Sequence, residues 1–180
     1  DAMRGWRGAF AKLAQTVPAL VAERDAAGAG LKVRVNVVLM RDNIAGFASL
    51  CRMLADWGVD EISFNQLGGR DRPEFYPSHG LSSDDVARLA DEVPRLRSEL
   101  RQVGTTLVGG AAYLERFADS VAGRALPITD CRVAETFLFI DEAGRVAPCS
   151  FAPEHFEITV DGLQSPADLD ALPQRLRSHQ

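Results

Sequence analysis

Two of the three cysteines bracket the segment CRVAETFLFIDEAGRVAPC, which begins at Cys131 and ends at Cys149. Gly144 lies between them, and Pro148 directly precedes the second cysteine. A disulfide needs Cα atoms within about 7 Å and is rarely kept by a cytosolic protein. An iron–sulfur cluster is bound by thiolates and tolerates a wider separation, so the spacing favours a cluster. The alternative is a pair of unrelated reduced cysteines.

The residues between the cysteines predict a β-hairpin near 135–149. TFLFI and RVAPC alternate apolar and polar residues on either side of a Gly-containing turn. If the chain turns at Glu142–Ala143, Cys149 lies opposite Thr136, five positions after Cys131. Five residues of straight strand span about 16 Å, so the intervening segment must bend back for both sulfurs to bind one metal.

Three amide side chains form a second set of candidates. Asn36 interrupts an apolar strand pattern, and Asn65 and Gln66 end the next predicted strand, just before Gly68. Ligands bind at the carboxyl ends of strands in barrels and open α/β sheets. A buried amide needs hydrogen-bond partners, which are either neighbouring backbone groups or a polar cofactor. The sequence does not decide between these two interpretations.

Other reactive side chains carry less information. His79, His155 and His179 are scattered and form no His-x-x-x-His pair, which argues against a zinc hydrolase site. The chain contains no Walker loop and no Gly-x-Ser-x-Gly elbow. Cys51 lies within an amphipathic helical pattern, where a cysteine is more often a small buried hydrophobe than a ligand.

Strands and helices alternate along the first two thirds of the chain. Runs rich in β-branched residues predict strands near 31–40, 59–67 and 105–109. The first of these is almost continuously apolar, so we expect it to be buried on both faces. Helix–strand alternation builds a parallel sheet with helical crossovers. The predicted fold is α/β, a partial parallel (β/α) barrel like half of a TIM barrel, with an open flavodoxin-like sheet as the alternative.

Helix signals surround these strands. Asp42 or Asn43 is expected to cap the helix over 44–57, and Ser82 or Ser83 the long helix that follows the second strand. Pro18 and Pro94 lie within helical patterns, so we expect a kink or a split at Pro18 and a kink at Pro94. A last helix is predicted after the hairpin, with Ser165 as its cap and Pro166 at its first position.

Composition narrows the class of protein. The 180 residues fit one domain, or one with a small appendage, and the net charge of −5 argues against a general nucleic-acid binder. No apolar run reaches the length of about 18 residues that a membrane span needs. We find no signal peptide and an odd cysteine count, so we expect a cytoplasmic protein. The start without Met indicates a fragment of a longer protein.

Several passages together resemble one enzyme family. DAMRGWRGAF is similar to the passage after the third barrel strand of radical S-adenosylmethionine (radical SAM) enzymes. VRVNVVLMRDN and VDEISFNQLG resemble their fourth and fifth strands, and TTLVGG a sixth. Cys131, Gly144 and Cys149 fit the opening pattern of a SPASM or twitch auxiliary-cluster domain. The resemblance implies that residues 1–123 are the C-terminal part of the barrel and 124–180 a SPASM/twitch-like hairpin and terminal helix.

This resemblance implies a radical SAM iron–sulfur oxidoreductase as the parent protein. Its cofactors are a [4Fe–4S] cluster and S-adenosyl-L-methionine, which is cleaved reductively to a 5′-deoxyadenosyl radical that takes hydrogen from a peptide or small metabolite. A flavodoxin or ferredoxin is the expected type of electron donor, with no nucleic-acid or membrane partner. Asn36, Asn65 and Gln66 would then meet S-adenosylmethionine, and Cys131 and Cys149 would bind the auxiliary cluster.

Two departures from the family limit this hypothesis. The Cys-x-x-x-Cys-x-x-Cys loop that binds the catalytic cluster is absent, and so are the later cysteines that complete an auxiliary cluster. Two thiolates are too few for a cubane, which normally takes four. We therefore expect this chain alone to be inactive, with no catalytic residue assigned. A half barrel that keeps only a binding or interaction surface is the competing interpretation.

Overall fold

A computed structural model describes residues 5–28, 30–68, 73–124, 137–148 and 156–177. The chain divides into two compact units, Asp1–Leu126 and Pro127–Gln180, each with its own hydrophobic core. In the described ranges no helix is long and apolar enough to cross a membrane.

The first unit alternates helices and strands as predicted. Its elements are α1 (Ala9–Ala26), β1 (Arg34–Leu39), a 3₁₀ turn (Ile44–Gly46), α2 (Phe47–Asp56), β2 (Glu61–Gln66), α3 (Tyr76–His79), α4 (Ser83–Gln102), β3 (Thr106–Leu107) and α5 (Ala111–Val121). All three predicted strands are present, each shorter than the apolar run that indicated it. The short helix α3 is not among the helices predicted from the sequence.

The three strands form one parallel sheet in the order β1-β2-β3. Arg34 lies opposite Glu61 at one end of the β1–β2 pair, and Leu39 lies opposite Gln66 at the other. On the far side of β2, Glu61 pairs with Thr106 of β3. The prediction of a parallel α/β sheet is therefore confirmed.

One face of this sheet carries the core of the first unit. Val37, Leu39 and Phe64 are buried against side chains of α2, α4 and α5. Phe64 lies at the centre, with its ring 5.2 Å from that of Phe47 and 5.8 Å from that of Phe117, both edge-on. Burying each such side chain contributes about 1.5–3 kcal/mol, so packing on this face is what holds the helices to the sheet.

The opposite face of β1 is not buried, which corrects the expectation of a strand covered on both sides. Arg34 and Asn36 are exposed, and Val38 keeps 38% of its surface accessible. The physical reason is that the helices of the first unit contribute to a single core on the other face. The apolar run over 31–40 therefore did not predict correctly how many faces of the strand are covered.

The helix predictions, which concern caps and internal prolines, are confirmed in part. Ser82 caps α4 through a reciprocal pair of bonds, since the Ser82 Oγ accepts from the backbone N–H of Asp85 (3.2 Å) and the Asp85 carboxylate accepts from the Ser82 N–H (2.9 Å). Helices α1 and α4 both run through their prolines, so Pro18 does not split α1 in two. Each proline removes one backbone hydrogen bond, which packing of the surrounding turns offsets.

The second unit contains the predicted hairpin. Strands β4 (Phe139–Ile140) and β5 (Val146–Ala147) pair antiparallel, and a 3₁₀ turn (Val160–Gly162) and helix α6 (Pro166–Arg177) follow. Phe139 lies opposite Ala147, one residue away from the register in which Cys149 would lie opposite Thr136. The other edge of β5 is bonded too, because the Val146 N–H donates to the Ile158 carbonyl at 2.8 Å.

A small core stabilises this hairpin. Val146, Ile158 and Leu176 are buried together, so α6 packs on the same apolar cluster as β5. The Ser165 Oγ accepts from the backbone N–H of Asp168 at 3.3 Å, as expected for a cap directly before Pro166.

Candidate functional site

The uncovered side of the three-stranded sheet, which we call the open face, is the candidate site. Its side chains are Arg34, Asn36 and Val38 of β1, Glu61, Ser63 and Asn65 of β2, and Thr106 and Val108 at β3. Side chains alternate between the two faces of a strand, so these residues share one side. The carboxyl ends of the three strands meet at one edge of it, where parallel sheets bind ligands.

Two predicted site residues come together on this face. The Asn36 Nδ2 donates to the Asn65 Oδ1 at 2.8 Å, and the Ser63 hydroxyl donates to the Asn36 Oδ1 at 3.1 Å. The Asn65 Nδ2 also donates to the Gln66 backbone carbonyl at 3.2 Å. A primary amide has two N–H donors and two acceptor lone pairs, so Asn36 keeps one of each for a ligand. Asn36 is exposed, which leaves those groups accessible.

The third predicted residue lies on the other side of the sheet. The Gln66 Nε2 donates to the Ser120 hydroxyl of α5 at 2.5 Å, within the helical layer. The Gln66 Oε1 is buried and has no hydrogen-bond partner within the described part of the chain. A buried acceptor left unpaired costs about 1–3 kcal/mol. The structure therefore brings Asn36 and Asn65 together and places the side chain of Gln66 on the other face of the sheet.

Valines lie beside these amides. Val38 and Val108 each expose 38% of their surface on the open face. Val38 is the register partner of Asn65, and the Val108 N–H donates to the Ile62 carbonyl of β2 at 2.8 Å. Amide edges next to exposed valines suit a ligand that has a flat apolar ring with polar atoms on its rim.

Charges on the open face are confined to the amino end of the strands. Glu61 accepts from the Lys32 Nζ at 2.6 Å and from the Arg34 Nε at 2.8 Å. These bonds hold the pKa of Glu61 below its usual value, and the bond from Lys32 has the largest effect. Both ion pairs engage the Glu61 carboxylate, which is therefore not available to a ligand. In barrels, residues at the amino ends of the strands contribute mainly to stability.

The loop after β3 is held rigidly at the carboxyl edge. Arg97 of α4 donates from its Nε to the Leu107 carbonyl at 3.2 Å and also bonds the Gly109 carbonyl. The Tyr113 hydroxyl donates to the Phe64 carbonyl at 2.7 Å, and burial raises its pKa. Gly109 has a φ of 107°, and a Cβ there would lie 2.8 Å from the Tyr113 ring. This edge is thus preorganised.

A histidine–carboxylate pair that was not predicted from the sequence lies at the same edge. The His79 Nδ1 lies 2.6 Å from the Asp42 Oδ2, and the His79 ring stacks on Phe75 with centroids 4.1 Å apart. The bond to His79 holds the pKa of Asp42 below its usual value. Asp42 follows β1 and His79 follows the loop after β2, so topology alone could have placed them at one edge. Periodicity gave no sign of it.

The cysteines divide between the two parts of the chain. Cys51 of α2 is fully buried, and burial raises its pKa to about 12, which confirms it as an unreactive core residue. Cys131 and Cys149 lie outside the described residues, so their assignment to a cluster stays a prediction. In the part of the chain that the structure describes, no group of at least three metal-ligating side chains occurs.

Comparisons with known proteins do not assign the chain to a family. It matches no protein-family model, no curated protein and no solved structure.

Proposed function

We propose that this chain is the C-terminal part of a radical SAM iron–sulfur oxidoreductase that modifies a peptide or a small metabolite. The observation that carries the proposal is the open face, on which Asn36 and Asn65 pair at the carboxyl ends of two parallel strands. The alternative is a half barrel that only binds a partner.

The packing of the first unit supports the proposal that this unit is half of a parallel barrel. Helices α2, α4 and α5 share one core with one face of the sheet, and α1 packs against it through Val17. A doubly wound sheet carries helices on both faces, whereas a barrel keeps all of them outside and turns the other face of its sheet towards the interior. A polar open face suits that interior near its ligand-binding end.

The exposed apolar side chains of α1 are evidence that the sheet continues beyond β1. Trp6 precedes α1, and Phe10, Leu13 and Leu20 lie in it at helical spacing, each at least 50% exposed. An amphipathic crossover helix normally buries such a stripe against the strands on both sides of it. A further strand at the free edge of β1 would cover these side chains.

The open face fits the adenosyl group of S-adenosylmethionine. Asn36 offers an N–H and a lone pair to ribose hydroxyls or to the adenine rim, and Asn65 offers one further N–H. Val38 and Val108 give apolar surface for the flat ring. Gln66 faces α5, so the proposal gives it no contact with the ligand.

The cofactors supply the radical chemistry, while the residues of this chain bind and orient. When bound, S-adenosylmethionine and its [4Fe–4S] cluster provide the hydrogen-abstracting radical. Cys131 and Cys149 are proposed as two thiolate ligands of an auxiliary cluster. The amides of the open face hold the adenosyl group at the carboxyl edge.

Binding of S-adenosylmethionine to the chain tests the proposal. We expect Asn36→Ala to weaken the dissociation constant about tenfold, which corresponds to the loss of about one hydrogen bond to a polar ligand. Isothermal titration calorimetry measures it. Gln102→Ala is the matched control, because it removes an exposed amide at the end of α4.

Two outcomes would contradict the proposal: a wild-type chain that does not bind S-adenosylmethionine, or an Asn36→Ala variant that is folded by circular dichroism and binds as wild type does. The catalytic part of the proposal has a separate test. A Cys-x-x-x-Cys-x-x-Cys loop upstream in the same reading frame supports the enzyme, and an in-frame start without that loop supports the binding module.

A further inference from the structure

His79 is fixed on several sides at the carboxyl edge of the sheet. Its Nδ1 bonds the Asp42 carboxylate at 2.6 Å, and its ring stacks on Phe75 at 4.1 Å with planes tilted by 28°. The His79 carbonyl accepts from the Arg41 N–H at 3.0 Å, which ties the end of α3 to the loop after β1. The ring therefore has one preferred position.

The partners of His79 decide which ring nitrogen accepts a proton. An ionised carboxylate only accepts hydrogen bonds, so the Nδ1 beside Asp42 must carry the proton. In the neutral ring this leaves the Nε2 as the acceptor, and it has no partner among the residues that the structure describes. The side chain of His79 is 26% exposed, so part of it faces solvent.

This pair adds little to stability, since the Asp42 side chain is 45% exposed and water screens such contacts. The two residues come from loops that follow different strands, as catalytic groups do in parallel barrels. A base held by an orienting carboxylate is the arrangement that general-base catalysis uses.

We propose that His79 is a general base, positioned by Asp42, for a substrate that presents an acidic C–H, N–H or O–H group at the carboxyl edge of β1 and β2. The Nε2 lone pair takes the proton, and the imidazolium keeps its Nδ1–H on the Asp42 carboxylate. The electron pair of the broken bond stays with the substrate. This role needs no cofactor and is independent of the adenosyl site.

The probe 5-nitrobenzisoxazole reports such a base directly. The Nε2 removes its C3 proton, the C–H electron pair forms the nitrile, and the N–O bond breaks to give a coloured phenolate, so no oxidant or reductant is needed. We expect His79→Gln to lower the second-order rate constant about tenfold. This is less than the 10²–10⁴-fold effect of a positioned base, because the probe is not held in place.

Four further variants separate a base from a structural contact. We expect Asp42→Asn to lower the rate severalfold and Asp42→Glu to restore part of it. His155→Gln and His179→Gln should react as wild type does. Replacing the C3 hydrogen of the probe by deuterium should slow the wild-type reaction, because that bond breaks in the step that His79 carries out.

A second measurement keeps the proposal testable if His79→Gln does not fold. The wild-type chain is treated with diethyl pyrocarbonate, and acylation of each histidine is followed by peptide mass spectrometry. We expect loss of the reaction to follow modification of His79. A folded His79→Gln variant with the wild-type rate, an Asp42→Asn variant with an unchanged rate, or full activity after His79 is acylated would overturn the assignment.

Discussion

At the scale of single residues, Asp141 organises the hairpin turn of the second unit. Its carboxylate accepts from the backbone N–H groups of Ala143 (2.9 Å) and Arg145 (2.8 Å), and from the Arg145 Nε at 2.6 Å. The backbone bond to Arg145 is the largest of the effects that hold the pKa of Asp141 below its usual value. The ionised form is thus the one that the native turn binds.

We expect Asp141→Asn to lower the melting temperature at neutral pH and to have little effect in acid. A carboxyl whose folded pKa is depressed contributes stability above its unfolded pKa, and that stability is lost as the pH falls through the folded value. Thermal unfolding of wild type and variant between neutral and acidic pH measures this.

Glu142→Gln is the control for this prediction, because Glu142 is exposed in the same turn. A difference between Asp141→Asn and wild type that stays constant over the whole pH range would show that the charge of Asp141 is not what stabilises the turn.

The assignment of Asn65 and Gln66 to one ligand site could have been corrected from the sequence alone. Asn65 and Gln66 are consecutive in β2, and consecutive side chains point to opposite faces. Both amides could therefore not have met one ligand, which the alternation already implied. The bond of Asn36 to Asn65 was not predictable, because it depends on the β1–β2 register.

At the scale of elements, the loop between β3 and α5 depends on a glycine. Gly109 combines a φ of 107° with the close approach of Tyr113, whereas Gly110 has neither feature. Only glycine adopts such a φ without strain. The loop is thereby held where β3 presents its carboxyl end.

We expect Gly109→Ala to reduce the free energy of unfolding by about 1–3 kcal/mol, because it adds backbone strain and a clash with the Tyr113 ring. Urea denaturation measures this change. Gly110→Ala is the matched control and should cost clearly less, since a Cβ there meets nothing within 4 Å and only the preference of the α5 N-cap for glycine over alanine is lost. Equal effects of the two substitutions would contradict this account of the loop.

Strand and helix boundaries were predictable where a local signal was strong. The Ser82 cap, the Ser165–Pro166 start of α6 and the Gly-containing hairpin turn all follow from short-range hydrogen bonds or backbone preferences. The exposure of β1 was not predictable, because it depends on which face the helices cover. The same holds for the pair of Asp42 and His79, which joins loops far apart in sequence.

At the scale of the whole molecule, we compare two of the surfaces that the described part of the first unit offers to a small ligand. One is the open face with Asn36 and Asn65. The other is a groove of about 520 Å³ between α4 and α5, lined by side chains such as Ala90, Pro94 and Leu114. The groove lies between helices and its surface is mainly apolar, with Arg97 and Glu115 among the side chains that line it, whereas the open face offers unused amide donors and acceptors.

Chemical-shift mapping with ¹⁵N-labelled chain and S-adenosylmethionine tests the central claim most directly, since it reports where the ligand binds. We predict that the side-chain amide signals of Asn36 and Asn65 shift, together with the backbone signals of Val38 and Val108. Those of Ala90 and Leu114 should stay in place. Shifts confined to the groove between α4 and α5, or no shifts at saturating ligand, would contradict the assignment of the open face as the adenosyl site.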